Sequence, residues 1–264
     1  MIDTHSHIDG PEYDDDRDDM IARARQAGIS KIFVPAIDLK SVATVQATAT
    51  SYPGYAYPMI GLHPEEVKAD YKEVLGEMRR LLQANLSGES APKFIAIGEV
   101  GIDYYWSREY EKEQLDAFET QVRWSVETRL PLMIHCRKGQ NEMVGILNKY
   151  RADLPGGVFH CFTGNLQEAE QLLSFPQFCL GIGGVLTFKK SHLPEVLPHI
   201  PIDRIVLETD SPYMAPVPKR GSRNESAYVR LVMERMAECY GISAEEVERH
   251  TDANAKRVFP LAFT

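Results

Sequence analysis

The sequence opens with Asp3-Thr4-His5-Ser6-His7, where two imidazoles stand two residues apart. On an extended strand successive side chains point to opposite faces, so His5 and His7 share one face. Two imidazoles so placed can chelate one cation, as hydrolytic metal sites require. Alone the motif is weak, because two histidines near a terminus are equally served by solvent. Five further motifs carry chemistry of the same kind. Gly61-Leu62-His63-Pro64 holds a lone His, and Gly98-Glu99-Val100-Gly101-Ile102-Asp103 follows the apolar run Phe94–Ile97. A carboxylate after a buried strand is costly unless paired or metal-bound, and a salt bridge is the alternative for Glu99. Ile134-His135-Cys136-Arg137 puts His135 and Arg137 on one face, and Val158-Phe159-His160-Cys161 places another His after a short apolar run. Cys136 and Cys161 then face away, toward helices, as packing residues. Leu207-Glu208-Thr209-Asp210-Ser211-Pro212 ends in an acid that is either a ligand or a turn cap.

The elements that must position these residues alternate along the chain. Strands are expected at Met1–His7, Lys31–Ile37, Tyr55–Leu62, Phe94–Val100, Leu132–Cys136, Val158–Cys161, Phe178–Gly183 and Arg204–Thr209. Helices are expected between them, at Asp15–Ala27, Lys40–Thr50, Glu66–Leu86, Tyr110–Thr128, Gln140–Tyr150, Leu166–Ser174, His192–Leu197 and Glu225–Tyr240. Strict alternation argues for a parallel sheet, and eight units argue for a closed (β/α)8 TIM-type barrel, an α/β fold. An open doubly wound sheet is the structural alternative. Ser243–Phe259 reads as an extra C-terminal helix, and residues 1–264 read as a single domain, since no Gly/Ser/Pro linker divides them. The acidic run Asp14–Asp19 reads as a first helical turn complementing the helix dipole. Five of the eight histidines fall at the carboxyl ends of these strands, where barrel enzymes build their sites. His192, His199 and His250 do not. With Glu99 and Asp210 on the same face, the joint placement points to a metal site.

Composition narrows the class. The 264 residues are 44% hydrophobic and 25% charged, with no apolar run near the length of a membrane span. The start shows no signal-type segment, so a cytoplasmic location is expected. Four cysteines without a CxxC pair read as reduced thiols. A net charge of −9 argues against tight, non-specific duplex binding. It leaves room for an enzyme that handles phosphates one at a time with cations supplying positive charge.

The ordered motifs resemble the TatD-type deoxyribonucleases of the metal-dependent hydrolase superfamily. The resemblance covers Ile2–His7, Gly61–Pro64, Gly98–Tyr105, His160–Gly164, Gly181–Gly184, Leu207–Tyr213 and Pro216–Glu225, almost the whole chain. It implies a TIM-type barrel, one or two divalent cations (Mg, Mn or Zn) and hydrolysis of DNA phosphodiesters, with RNA as a further candidate substrate. It implies His5, His7, Glu99, His135, His160 and Asp210 as metal ligands. Two departures adjoin the site: Lys138-Gly139 stands where the family usually carries an acidic and then a small residue, and Glu65-Glu66 follows His63-Pro64.

On that reading His5 and His7 hold one cation with Glu99 and Asp210, and Glu99 reaches a second held by His135 and His160. Asp210 is the expected general base. Arg137 is expected to clamp a phosphate oxygen, unless it pairs with Asp103 or Glu66. His63 is expected to bind phosphate or protonate the leaving oxygen, and Lys219, Arg220 and Arg223 to form a local basic rim. The expected activity is exonucleolytic, on single strands or frayed ends, with neither membrane nor obligate protein partner. The competing readings are a superfamily hydrolase cleaving a C–N bond in a cyclic amide or base, and a metal-binding scaffold without activity.

Overall fold

The computed structural model describes residues 1–264. Eight strands alternate with helices in the expected order. The strands are β1 (Ile2–Asp3), β2 (Lys31–Pro35), β3 (Ala56–Met59), β4 (Ile97–Asp103), β5 (Leu132–Arg137), β6 (Gly157–Phe159), β7 (Phe178–Ile182) and β8 (Ile205–Leu207). The helices are α1 (Arg17–Gln26), α2 (Leu39–Ser51), α3 (Tyr71–Ser87), α4 (Glu111–Thr128), α5 (Gln140–Lys149), α6 (Leu166–Leu173), α7 (Leu193–Val196), α8 (Val229–Tyr240) and α9 (Ala244–Val258). This is the α/β class with the (β/α)8 order of a TIM-type fold, and α9 is the expected extra helix. No helix is long and apolar enough to cross a membrane.

The residues cluster into two compact units. One comprises Met1–Val34 and His160–Thr264, the other Pro35–Phe159. In the first, β1 pairs in parallel with β2 and β7 with β8. Its core includes Phe33 against Phe259, ring centroids 5.0 Å apart. In the second, β4, β5 and β6 pair in parallel. Every residue of β4 is buried, as befits a parallel strand covered on both faces.

Local chemistry sets the helix ends. Asp38 with Ser41, Asn165 with Glu168 and Ser243 with Glu246 form capping boxes that start α2, α6 and α9. α3 stops at Gly88, whose φ of 88° closes the helix in the left-handed region. Just before it, buried Asn85 ties down the 87–92 loop. It donates to Ser90 O and Pro92 O and accepts from Phe94 N–H.

Several boundaries differ from the sequence expectation. β6 ends at Phe159, because Cys161 sits at φ 50° and leaves the extended region. Strand alternation therefore stops before Cys161, whose thiol lies 3.8 Å from the sulfur of Met214. β4 starts three residues later than expected and continues to Asp103, because its register with β5 runs on to the Asp103–Arg137 pair. Glu99 thus lies within the strand. α3 starts at Tyr71, since Pro64–Glu66 forms a 3-10 turn capped by His63. α8 starts at Val229, after a 3-10 turn at Ser226–Tyr228.

Candidate active site

In the first unit, the chain beyond β1 runs beside the chain beyond β8. Thr4 N–H donates to Leu207 O at 3.1 Å, Asp210 N–H to His5 O at 2.9 Å, and His7 N–H to Ser211 O at 2.8 Å. This main-chain ladder gathers three of the expected ligands. His5 Nε2 and His7 Nε2 are 3.2 Å apart, and Asp210 Oδ1 is 3.6 and 3.7 Å from them. Donors ~2.0–2.2 Å from one tetrahedral cation stand roughly 3.3–3.6 Å apart, so the set fits a cation with little rearrangement. Asp210 caps no helix. Its backbone sits at φ 54°, a conformation a non-glycine residue adopts at some cost and that recurs at functional sites. His160, the fourth expected ligand of this unit, stacks on His5 with ring centroids 3.9 Å apart and planes 5° from parallel.

Two buried acids support this group, and sequence reasoning gave neither a role. Asp3 accepts from Thr209 N–H at 2.9 Å and Thr209 Oγ1 at 2.7 Å. It thereby fixes the residue before Asp210 against the end of the strand that leads into His5. Burial pushes its carboxyl up to about 7, even though Ser226, Thr209 and the His5 N–H hydrogen-bond to it. Glu208 is fully buried, accepts from Cys161 N–H, and lies 3.6 Å from His160 Nδ1. Its Oε2 has no hydrogen-bond partner. A β-carbon on Gly181 would fall 2.1 Å from that oxygen, so any larger residue there would displace the Glu208 carboxylate. An unsatisfied buried carboxylate oxygen beside an imidazole is costly in an apolar interior and suits a cation's charge.

In the second unit, Glu99 N–H donates to Ala36 O at 2.9 Å and His63 N–H to Ile37 O at 2.8 Å. Both His63 and His135 converge on Glu99. His63 Nε2 is 3.3 Å and His135 Nδ1 3.2 Å from Glu99 Oε1. His63 Nδ1 accepts from Glu65 N–H at 3.1 Å, which places the ring proton on Nε2. Burial lowers the His63 pKa, with Glu99 opposing, so the ring is a neutral donor near neutral pH. Asp103 Oδ2 is 2.8 Å from His135 Nε2. When Nε2 donates to Asp103, the lone pair of Nδ1 faces the Glu99 oxygen. Two acceptors 3.2 Å apart are repulsive unless a proton or cation lies between them, so this pair also fits a metal. Burial raises the Asp103 pKa, but hydrogen bonds from His135 and Tyr105 N–H outweigh it and hold the carboxyl below its ordinary range. Gln114 clamps the Asp103 backbone at both N–H and C=O. Gly101 permits the close approach, since a β-carbon there would meet His135 O at 1.8 Å.

The cations around these groups fare differently. Arg137 pairs with neither expected carboxylate: Asp103 is turned to His135, and Glu66 to Lys68 at 3.0 Å. Its guanidinium lies over the Tyr105 ring, 3.4 Å from the centroid, and Lys138 Nζ lies 5.0 Å from the same ring. Gly139, the other departure there, precedes α5, where a β-carbon would meet Ile102 Cγ2 at 2.3 Å. Of the expected basic rim in the first unit, Arg223 is engaged by Asp16 at 2.7 and 2.8 Å. Arg220 lies over the Phe188 ring and Lys219 near that of Tyr228.

So the structure gathers His5, His7, His160 and Asp210 in one unit and His63, Glu99, His135 and Arg137 in the other. Asp103, Asp3 and Glu208 are the additions. Asp103 was discernible as the residue paired with Arg137 at the end of neighbouring strands. Glu208, two residues before Asp210, carried no separate signal.

Comparison with known proteins agrees with these motifs. A family described as TatD related DNase matches residues 2–260. A Bacillus subtilis protein called uncharacterized metal-dependent hydrolase YabD is 35% identical over 99% of both chains. A Pectobacterium parmentieri protein called 3'-5' ssDNA/RNA exonuclease TatD is 31% identical over 99% of this chain and 100% of that one. Among solved structures, the TatD homolog YjjV from Escherichia coli superposes with a TM-score of 0.89 at 28% identity, covering 98% of each chain. The chain belongs to the TatD family and is a metal-dependent hydrolase of that family.

Proposed function

We propose that this TatD-family hydrolase cleaves phosphodiester bonds of nucleic acid, as an exonuclease on single-stranded DNA or frayed ends. RNA is a further candidate substrate. In this reading His5, His7, Glu99, His135, His160 and Asp210 hold one or two divalent cations, Mg, Mn or Zn. Such cations lower the pKa of water and stabilise charge building on a phosphate in the transition state. Asp210 takes the proton of the attacking water, since its carboxylate oxygen already faces two imidazole nitrogens. His63 binds a phosphate oxygen through Nε2–H. Its neutral ring makes it a better hydrogen-bond donor than proton donor. Arg137 supplies a charge-assisted hydrogen bond to the phosphate.

The observation that carries the reading is the state of Arg137. The residue two positions past His135 holds a permanent cation on an aromatic ring and not on a carboxylate. A neutral cyclic amide has no use for that charge, whereas a phosphodiester does. The names of the exonuclease relatives support the same direction.

The test uses end-labelled single- and double-stranded DNA and RNA, incubated with chelator-stripped protein, with Mg, Mn or Zn added back one at a time. Cyclic amides run in parallel. Shortening of single strands from one end, only with added cation, is expected. Turnover of a cyclic amide with none on any nucleic acid overturns the reading, and metal uptake without any turnover leaves a binding scaffold.

A further inference from the structure

Immediately after β4 the chain places Tyr104, Tyr105 and Trp106 in succession. Tyr104 is buried, but Tyr105 is 42% and Trp106 68% exposed. An indole left in water forgoes a large burial energy, and clustered exposed aromatics mark contact surfaces. The two rings meet edge to face, centroids 4.6 Å apart. β5 ends at Arg137, and Lys138 follows it. The Arg137 guanidinium lies 3.4 Å from the Tyr105 centroid and 5.6 Å from that of Trp106. Beside Trp106 opens a cleft of about 110 Å³, lined by Pro64, Val67, Asp103, Trp106 and Tyr110. Asp103 is the carboxylate on His135, so the cleft adjoins the residues that face Glu99.

We propose that Tyr105 and Trp106, flanked by Arg137 and Lys138, form a base-stacking subsite for single-stranded nucleic acid. The occupant rests on the nuclease reading; the stacking chemistry rests on this patch. Aromatic faces beside permanent cations are the recognition elements of single-strand binders, because every base has a face to stack and every nucleotide a phosphate. A duplex hides those faces, so the patch selects unpaired bases. It also answers a problem set by the net charge of −9. Long-range electrostatics repel a polyanion, so affinity must come from local contacts. Lys138, whose Nζ lies 5.0 Å from the Tyr105 centroid, adds positive charge at the place where the strand would lie.

The protein has two tryptophans, and the other, Trp124, is only 5% exposed in α4. Trp106 is therefore the accessible fluorophore. Phosphorothioate-linked oligo(dT) is titrated into chelator-treated protein. Quenching is expected in the wild type and not in Trp106→Phe. An abasic strand of equal length and charge is expected to compete at least about 5-fold more weakly. Trp106→Ala is expected to raise KM for single-stranded oligonucleotides by about 5- to 150-fold, with Trp106→Phe restoring most of the loss. Equal competition by the abasic strand, or an unchanged KM in Trp106→Ala, overturns the subsite. Were the wild type to cleave no nucleic acid, the nuclease reading would fall. The quenching and abasic arms would still decide the subsite.

Discussion

Arg223 follows β8 in one unit and Arg137 ends β5 in the other; both guanidiniums lie over a tyrosine ring, but only Arg223 is also paired with a carboxylate. Arg223 donates to both oxygens of Asp16, while Arg23 forks onto Glu225 nearby. Arg137 rests on the face of Tyr105. A carboxylate cancels a guanidinium's charge, whereas a ring holds the side chain in place and leaves the charge able to meet an anion. The contrast continues inward. In the first unit the ligands are set by a main-chain ladder, with Asp3 locking Thr209 beneath it. In the second, side chains orient side chains: Asp103 holds His135, and the Glu65 N–H holds His63. The first unit thus sets its ligands through the main chain, the second through side chains.

The largest expected effect tests the first unit. Asp210→Asn removes a ligand oxygen and the proposed base without changing side-chain size. Turnover on a single-stranded oligonucleotide is expected to fall ~10²–10⁴-fold, with substrate affinity near normal. Steady-state kinetics at saturating cation checks this. Near-wild-type kcat would reduce the first unit to scaffold and dissolve the contrast.

Next in size is the side-chain support of the second unit. Asp103→Ala frees the His135 ring to turn and to carry its proton on either nitrogen. Cation affinity is expected to drop about 10- to 100-fold, the usual cost of losing a carboxylate behind a ligating histidine. Isothermal titration of metal-free protein measures it, with circular dichroism confirming the fold. Unchanged affinity would mean that His135 is held by packing, and that the two units orient their histidines in the same manner.

How much of this was legible depended on whether a residue's role followed from its strand position. Alternation of apolar runs and amphipathic stretches gave the (β/α)8 order, because burial periodicity is local. His5 and His7 came together as the pleat predicts, although β1 itself is only two residues long. The ladder to residues 207–211 keeps the segment extended without a formal strand. Lys138, Cys161 and Asp210 all have positive φ, at 59°, 50° and 54°. No local sequence pattern announces that in non-glycine residues, so the side-chain directions of Cys161 and Asp210 could not be read from alternation. The partners of Arg137 and Arg223 were hidden for another reason. Asp16 lies 207 residues from Arg223, and only the fold brings such pairs together.

The smallest expected effect probes that last pair and concerns stability instead of turnover. Hydrogen bonds from Arg223 and Arg23 hold the Asp16 carboxyl down at about 2, against an ordinary value of 3.8. An acid whose pKa is lower folded than unfolded binds fewer protons in the native state. Its stabilisation is therefore fully present above the unfolded value and is lost as pH falls through the folded one. Asp16→Asn cannot titrate, so it lacks this contribution at every pH. The melting temperature of the wild type is expected to exceed that of the variant by a constant margin above about pH 4 and to converge on it toward pH 2. The ion pairs are partly exposed, so the margin is at most about 1 kcal/mol, a few degrees for a chain of this size. Turnover at neutral pH is expected to be the same in both, because neither Asp16 nor Arg223 belongs to the proposed ligand set. A margin that stays constant down to pH 2 would show that the ion pairs contribute nothing. A change in oligonucleotide turnover in Asp16→Asn would place Arg223 beside Arg137 as a substrate-facing cation, erasing the difference between the two rims.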